Sequence, residues 1–248
     1  MDNGLHKRAD LSDNRVVHNS ANQCVIVMSI VRLCNGARAM LLTRPFEVVT
    51  PSVDGDVLQV LAGAEARFTV GQLHELIGAR SYNGVKKALL RLVQQGIATA
   101  ERSGTVNTYS LNRDHLAAPA VLAIATLHGV FLDRLRTALA EWVHPPVFAA
   151  LFGSAGRGDM RPDSDIDLFL VRPDELDTPE EFEDWHRATD RLQHDATTWT
   201  GNDTRVLEMS LTEVRAGLAS EDPLLTAIRT EGRILHGDNR FWRKVSRG

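Results

Sequence analysis

Two short apolar runs, separated by a polar glycine-rich loop, constrain this chain more than any other feature. Val147-Phe148-Ala149-Ala150-Leu151-Phe152 is stopped by Gly153-Ser154. After the loop, Asp165-Ile166-Asp167 leads into Leu168-Phe169-Leu170-Val171. Apolar runs this short, bounded by turn formers, read as buried strands. The chain must therefore bring a glycine-rich turn and two acids to the ends of neighbouring core strands.

The residue types in that loop suit phosphate and metal chemistry. Glycine lets the backbone approach a phosphate closely, and the Ser154 hydroxyl and nearby N–H groups can donate to its oxygens. Arg157 supplies a fixed positive charge with forked donors, suited to a phosphate or to a structural carboxylate. If residues 165–171 form a strand, its period of two puts Asp165 and Asp167 on one face and Ile166 on the other. Two hard oxygen ligands on one face suit Mg²⁺, which takes carboxylates together with substrate phosphate oxygens. A pair of such ions can clamp the attacking and leaving oxygens of an in-line displacement. The two aspartates also repel each other, so the pair should bind a cation or hold one acid with a raised pKa.

The stretch Gly153-Ser154-Ala155-Gly156-Arg157-Gly158 with Ser164-Asp165-Ile166-Asp167-Leu168 resembles the polymerase-beta-like nucleotidyltransferase superfamily, above all its minimal members. The pattern is matched from Gly153 to Leu168, with Gly156 where the family has alanine. The resemblance implies an α/β (α+β) fold, with a mixed sheet flanked by helices. It also implies transfer of a nucleoside monophosphate from an NTP, ATP being the expected one, to a hydroxyl with two Mg²⁺ ions. Gly153, Ser154, Arg157 and Ser164 would then serve the nucleotide, and Asp165 and Asp167 the metal. The family usually adds a third acid on a neighbouring strand. Glu208, the only acid in Arg205-Val206-Leu207-Glu208-Met209-Ser210-Leu211, is the expected third catalytic and metal-binding carboxylate, with Asp203 in reserve. Asp222–Ile228 and Glu231–Gly237 look like the family's terminal helix and short strand, with His236 as a packing or surface residue.

Residues 54–115 form a second unit. Apolar positions at helical spacing run through 54–61. Thr69 caps a helix that Gly78 ends, and Ser81 caps another that Gly96 closes. Residues 97–101 and 105–111 read as a hairpin about Arg102-Ser103-Gly104. Three helices and a hairpin resemble the winged helix-turn-helix domain, whose third helix enters the major groove while the hairpin touches backbone. The resemblance implies duplex DNA binding through Tyr82, Asn83, Lys86, Lys87, Arg91 and Arg102. A protein-docking role is the other reading of that surface.

The remaining chain is assigned by pattern. Residues 114–142 bridge the two units, and Ile124, Leu127, Phe131, Leu135, Ala138 and Trp142 recur there at helical steps, the mark of an amphipathic helix. Phe182, Trp185 and Leu192 face inward on another over 180–199. Leu41-Leu42 and Phe46–Val49 read as short extended pieces. Residues 1–22 are polar and without period, hence expected to be disordered. A native start at Met40 is one reading of that difference. The expected domains are an extension at 1–39, a winged helix at 40–115 and a nucleotidyltransferase domain at 116–248.

Composition narrows the setting. The net charge of −4 gives the whole molecule no general attraction for nucleic acid, so such binding needs a local basic patch. Cys24 and Cys34, the only cysteines, suggest neither a disulfide scaffold nor a metal site. The apolar stretch from Cys24 to Val31 is far short of the ~20 residues that span a bilayer. A cytoplasmic enzyme without a membrane partner is the expectation. Its acceptor would be a protein, an RNA or a small molecule, and a toxin–antitoxin or stress system, with a possible partner toxin, is implied by the family alone. The alternative is a transcription regulator whose nucleotidyltransferase fold senses nucleotide without turnover. An antibiotic-modifying transferase would gain nothing obvious from a DNA-reading domain.

Overall fold

A computed structural model describes residues 40–246. The expectations for residues 1–39 lie outside the described residues.

Side-chain caps start the second and third helices of the described chain. α1 spans Val53–Gly63, α2 spans Val70–Ile77 and α3 spans Tyr82–Gln94. Thr69 and Gln72 make a reciprocal capping box that starts α2, and the Ser81 hydroxyl accepts from the Gly84 N–H to start α3. β1 (Ala98–Ser103) and β2 (Val106–Leu111) pair antiparallel about Gly104, and Phe68 adds an isolated bridge to Tyr109. Val57, Leu61, Leu73, Val85, Leu89 and Leu92 fill the core of this unit. Its helices thus present one apolar stripe inward and leave the polar side of α3 to solvent.

The amphipathic stripe expected within 114–142 falls on two helices. α4 (Ala118–Ala125) and α5 (Leu127–Ala140) meet at a bend of 58°. At the joint the Thr126 hydroxyl donates back to the carbonyls of Leu122 and Ala123, a bond that competes with the regular ladder. The two helices also serve different cores. Ala118 and Val121 pack with the three-helix unit, whereas Phe131, Leu135 and Leu139 pack beneath the sheet. The expected extended pieces near the start of the described chain are likewise absent. Leu42 lies in a turn, and Pro45–Val48 is a 3₁₀ turn with Pro45 at its start. Proline's fixed φ favours such a turn, and Arg44, paired with Glu47 and Asp56, ties it to α1. Leu41 and Leu42 belong to the core beneath the sheet, and Phe46 to that of the helical unit.

The sheet carries the site. β3 (Phe148–Phe152), β4 (Ile166–Arg172), β5 (Thr204–Ser210) and β6 (Arg233–His236) lie in the order β5-β4-β3-β6. β4 is parallel to β5, and the other pairs are antiparallel, so the sheet is mixed as expected. α6 (Gly153–Arg157) follows β3 directly, and α7 (Pro179–Thr200) crosses from β4 to β5. α8 (Leu211–Ala219), α9 (Pro223–Glu231) and α10 (Arg240–Val245) complete the chain. One face of β4 sends Ile166, Leu168 and Leu170 into a core with α5 and α7. Its other face sends Phe169 and Val171 into a second core with Phe148, Leu225, Ile228, Phe241 and Trp242. Among the described residues, no single helix is long and apolar enough to cross a membrane.

Candidate active site

The antiparallel register of β3 and β4 pairs Phe152 with Asp167, so the glycine turn leaves β3 beside the second aspartate. Gly153 has φ +64°, and a Cβ there would run into the Asp167 carboxylate. Only glycine combines this left-handed backbone with so close an approach. The turn is therefore built around Asp167. Asp165 stands immediately before β4, two residues away, and shares its face.

Electrostatics separates Asp167 from an ordinary surface aspartate. The carboxyl of Asp167 is raised above its usual value, first by burial, then by the neighbouring Asp165. Arg205 and Arg157 pull it partly back. The repulsion expected from the sequence is thus present. The Asp165 carboxylate accepts from Arg205 at 2.8 Å, and Arg205 also approaches Asp203 at 4.0 Å. Arg205 lies beside Asp167 in the parallel register of β4 and β5 and shares the face of the acid pair.

A buried asparagine braces the segment that carries Asp165. Asn202 is fully buried, and its side-chain amide donates to the Ser164 carbonyl at 2.9 Å. The Ile166 N–H donates to the Asp203 carbonyl at 2.8 Å. Ser164 itself turns inward to the loop, where its hydroxyl accepts from the Arg161 N–H. Arg157 is held by Asp159 at 3.2 Å and Glu231 at 3.3 Å, and those hydrogen bonds raise its pKa. Of the expected nucleotide residues, Gly153 and Ser154 therefore stand at the turn, while Ser164 and Arg157 are engaged with the protein.

Glu208, expected as the third acid, stands away from the aspartate pair. It pairs with Leu170 in the register, so it lies on the face opposite Asp165 and Asp167. There it accepts from Arg172 at 2.9 Å and from the Trp185 indole at 2.8 Å. An acid inside an apolar strand needs such partners, and these two supply the compensation that a metal would have given. Among the described residues, no group of three or more metal-ligating side chains is found. The acids that stand on the face beside the glycine turn are Asp165 and Asp167.

Sequence reasoning missed Arg205 and Asn202. A basic residue in an otherwise apolar strand, an even number of positions from Asp203, was the available signal for Arg205. Asn202 carried none, since its role depends on burial.

A groove of about 1090 Å³ runs between α5 and α7, lined by Trp142, Trp199 and Arg134 among others. It lies under the face opposite the acid pair and is not the site. On the helical unit, Tyr82, Asn83, Lys86 and Lys87 are exposed on α3. Arg91 is bound by Asp54 through two hydrogen bonds, and Arg102 donates to the Gly104 carbonyl in the hairpin turn.

Residues 132–200 match the family model of the nucleotidyltransferase domain. That span contains α5 from Leu132, the glycine turn, both aspartates, β4 and α7. No curated protein matches the chain. Six chains of solved structures match. One belongs to a crystal structure of a toxin–antitoxin with AMP-PNP, 19% identical, covering 46% of this chain and 82% of that one at a TM-score of 0.32.

Proposed function

We propose that the chain is a nucleotidyltransferase that moves a nucleoside monophosphate from an NTP, with ATP as the favoured donor, to a hydroxyl. The observation that carries this reading is the glycine turn built around Asp167, with Asp165 on the same face, inside the span that matches the nucleotidyltransferase domain. Asp165 and Asp167 fit a Mg²⁺ site. They are two neighbouring hard oxygen donors, one partly buried and repelled by the other, in a cradle that a Cβ would fill. When bound, the ion supplies positive charge to the triphosphate. With Glu208 on the other face, two ions would have to share the aspartate pair and substrate oxygens.

The protein's own residues divide the remaining work. Gly153 keeps the backbone low enough for a phosphate to come close. Ser154, next in the turn, can donate its hydroxyl to a phosphate oxygen. Asn202 holds the loop that aims Asp165.

The helical unit is proposed as a winged helix-turn-helix that binds duplex DNA. It is supported by the exposed run of Tyr82, Asn83, Lys86 and Lys87 on α3 and by the hairpin that follows. A cytoplasmic setting and a role beside a partner toxin are proposed with it, from the sequence resemblance. The second reading, a regulator that senses nucleotide without turnover, is favoured by one observation: an arginine stands on the site face of β5, where no acid does.

Incubation with labelled NTPs and Mg²⁺ tests the proposal. Label is expected on a protein, RNA or small-molecule acceptor, and Asp165→Asn with Asp167→Asn should abolish it. Transfer that survives in the double variant would overturn the assignment, and nucleotide binding without any transfer would favour the sensor.

A further inference from the structure

Arg205 stands in an unusual position. It is on the edge strand of the sheet, beside Asp167 in register, and its guanidinium bonds the other aspartate of the pair. The second arginine–acid pair on these strands, Arg172 with Glu208, is buttressed by neighbouring side chains. Trp185 supplies an additional donor to Glu208, and the Phe182 ring lies 4.8 Å under Arg172. Among the described residues, Arg205 has no such support. It makes one close contact to Asp165, reaches Asp203 only at 4.0 Å and is one-third exposed. A guanidinium is a permanent cation. On Asp165 it occupies an oxygen that a divalent ion would need.

We propose that Arg205 is the resident counter-cation of the aspartate pair, competing with divalent metal for Asp165 and turning to the anionic nucleotide once metal has taken its place. This rests on the metal reading of Asp165 and Asp167. The device has three parts. The pair stays partly neutralised before substrate arrives. A bare ion binds weakly, because it must displace an ion pair. Metal and nucleotide bind together more tightly than either alone, because the displaced guanidinium gains phosphate oxygens as partners. Arg205 is thereby a positioning residue that makes metal binding depend on nucleotide.

The test measures metal binding directly. Free Mn²⁺ is followed by electron paramagnetic resonance during titration of the full chain, first without nucleotide and then with a non-hydrolysable ATP analogue. Removing the competing cation in Arg205→Gln should tighten Mn²⁺ binding without nucleotide about three- to tenfold, the scale of a partly exposed ion pair. With the analogue present, that gain should vanish or reverse. Arg205→Lys, which keeps the charge, should stay near wild type. Asp203→Asn, which leaves Arg205 to Asp165 alone, should weaken bare Mn²⁺ binding. Thermal melts identify any variant that fails to fold, and the lysine and asparagine variants then carry the test. Unchanged or weaker Mn²⁺ binding in Arg205→Gln, with wild-type binding that Asp165→Asn abolishes, would overturn the proposal and leave the metal site standing. No Mn²⁺ binding in wild type or in Arg205→Gln would remove both.

Discussion

β4 and β5 carry two arginine–acid pairs on opposite faces, and the contrast between them separates a structural acid from a functional one. On one face, Arg172 of β4 meets Glu208 of β5, with Trp185 as a further donor. On the other, Arg205 of β5 meets Asp165 at the head of β4, with Asp167 alongside. Each carboxylate oxygen of Glu208 accepts from a protein donor. Asp165 and Asp167 have two carboxylates to one close arginine contact, and burial makes the charge of Asp167 costly. An acid in a sheet is available for chemistry when the fold leaves its charge incompletely matched. Its mere presence in an apolar strand does not make it so.

The largest expected break of this contrast is Asp167→Asn. Loss of transfer should reach about a thousandfold or more, because several kcal/mol of charge stabilisation depends on that carboxylate. The same variant should melt at a higher temperature at neutral pH. The folded protein holds the Asp167 proton more tightly than the unfolded chain, whose value lies near 3.8. That contribution is fully present below 3.8 and is lost as pH rises through the higher folded value. Wild type therefore carries a penalty at neutral pH that asparagine lacks, and each kcal/mol relieved should appear as about 2–4 °C in Tm. The gap between the two melting curves should close toward acid. A variant less stable than wild type at every pH would show that Asp167 is matched like Glu208.

Gly153→Ala perturbs the same carboxylate from the other side. The left-handed backbone costs an L-residue about 1–2 kcal/mol, and the new Cβ displaces Asp167. A misplacement on the scale of 1 Å can cost about a hundredfold in rate. Metal titration of the folded variant should show weakened binding, whereas an alanine at a turn that merely connects strands would leave metal affinity intact.

Glu208→Gln should do the reverse. Arg172, only 19% exposed, would lose its counter-charge, costing about 1–3 kcal/mol in denaturant unfolding. Transfer by the folded fraction should remain near wild type. A loss of transfer in folded protein would return Glu208 to the site.

Much of this arrangement is legible in sequence because it is local. Thr69 and Ser81 start their helices, Gly104 turns the hairpin, and the spacing of Asp165 and Asp167 sets their common face. What was not legible depends on partners distant in sequence. Glu208 looked available because a single strand reveals alternation but not which phase faces which neighbour. Only the register of Asp167 with Arg205 places odd-numbered residues of β5 on the site face and Glu208 behind it. The break at Thr126 escaped for a related reason. The apolar stripe was continuous, yet its two halves are claimed by different cores.

The contrast between matched and unmatched charge extends to α3, with the smallest expected effect. Arg91 belongs by sequence to the basic face, but Asp54 holds it through two hydrogen bonds. Within the described residues, Lys86 and Lys87 form no ion pair and stand exposed. If α3 meets duplex DNA, the two lysines should each release about one counterion, and Arg91 less. Lys86→Ala with Lys87→Ala should then flatten the plot of log affinity against log salt by about 1.8 units, near 0.9 per phosphate contact. Arg91→Ala should change the slope by clearly less than one lysine does, because Asp54 already screens it. Equal effects from all three would mean that Asp54 yields Arg91 to the phosphate at little cost. An unchanged slope in the double lysine variant would assign this face to a protein partner.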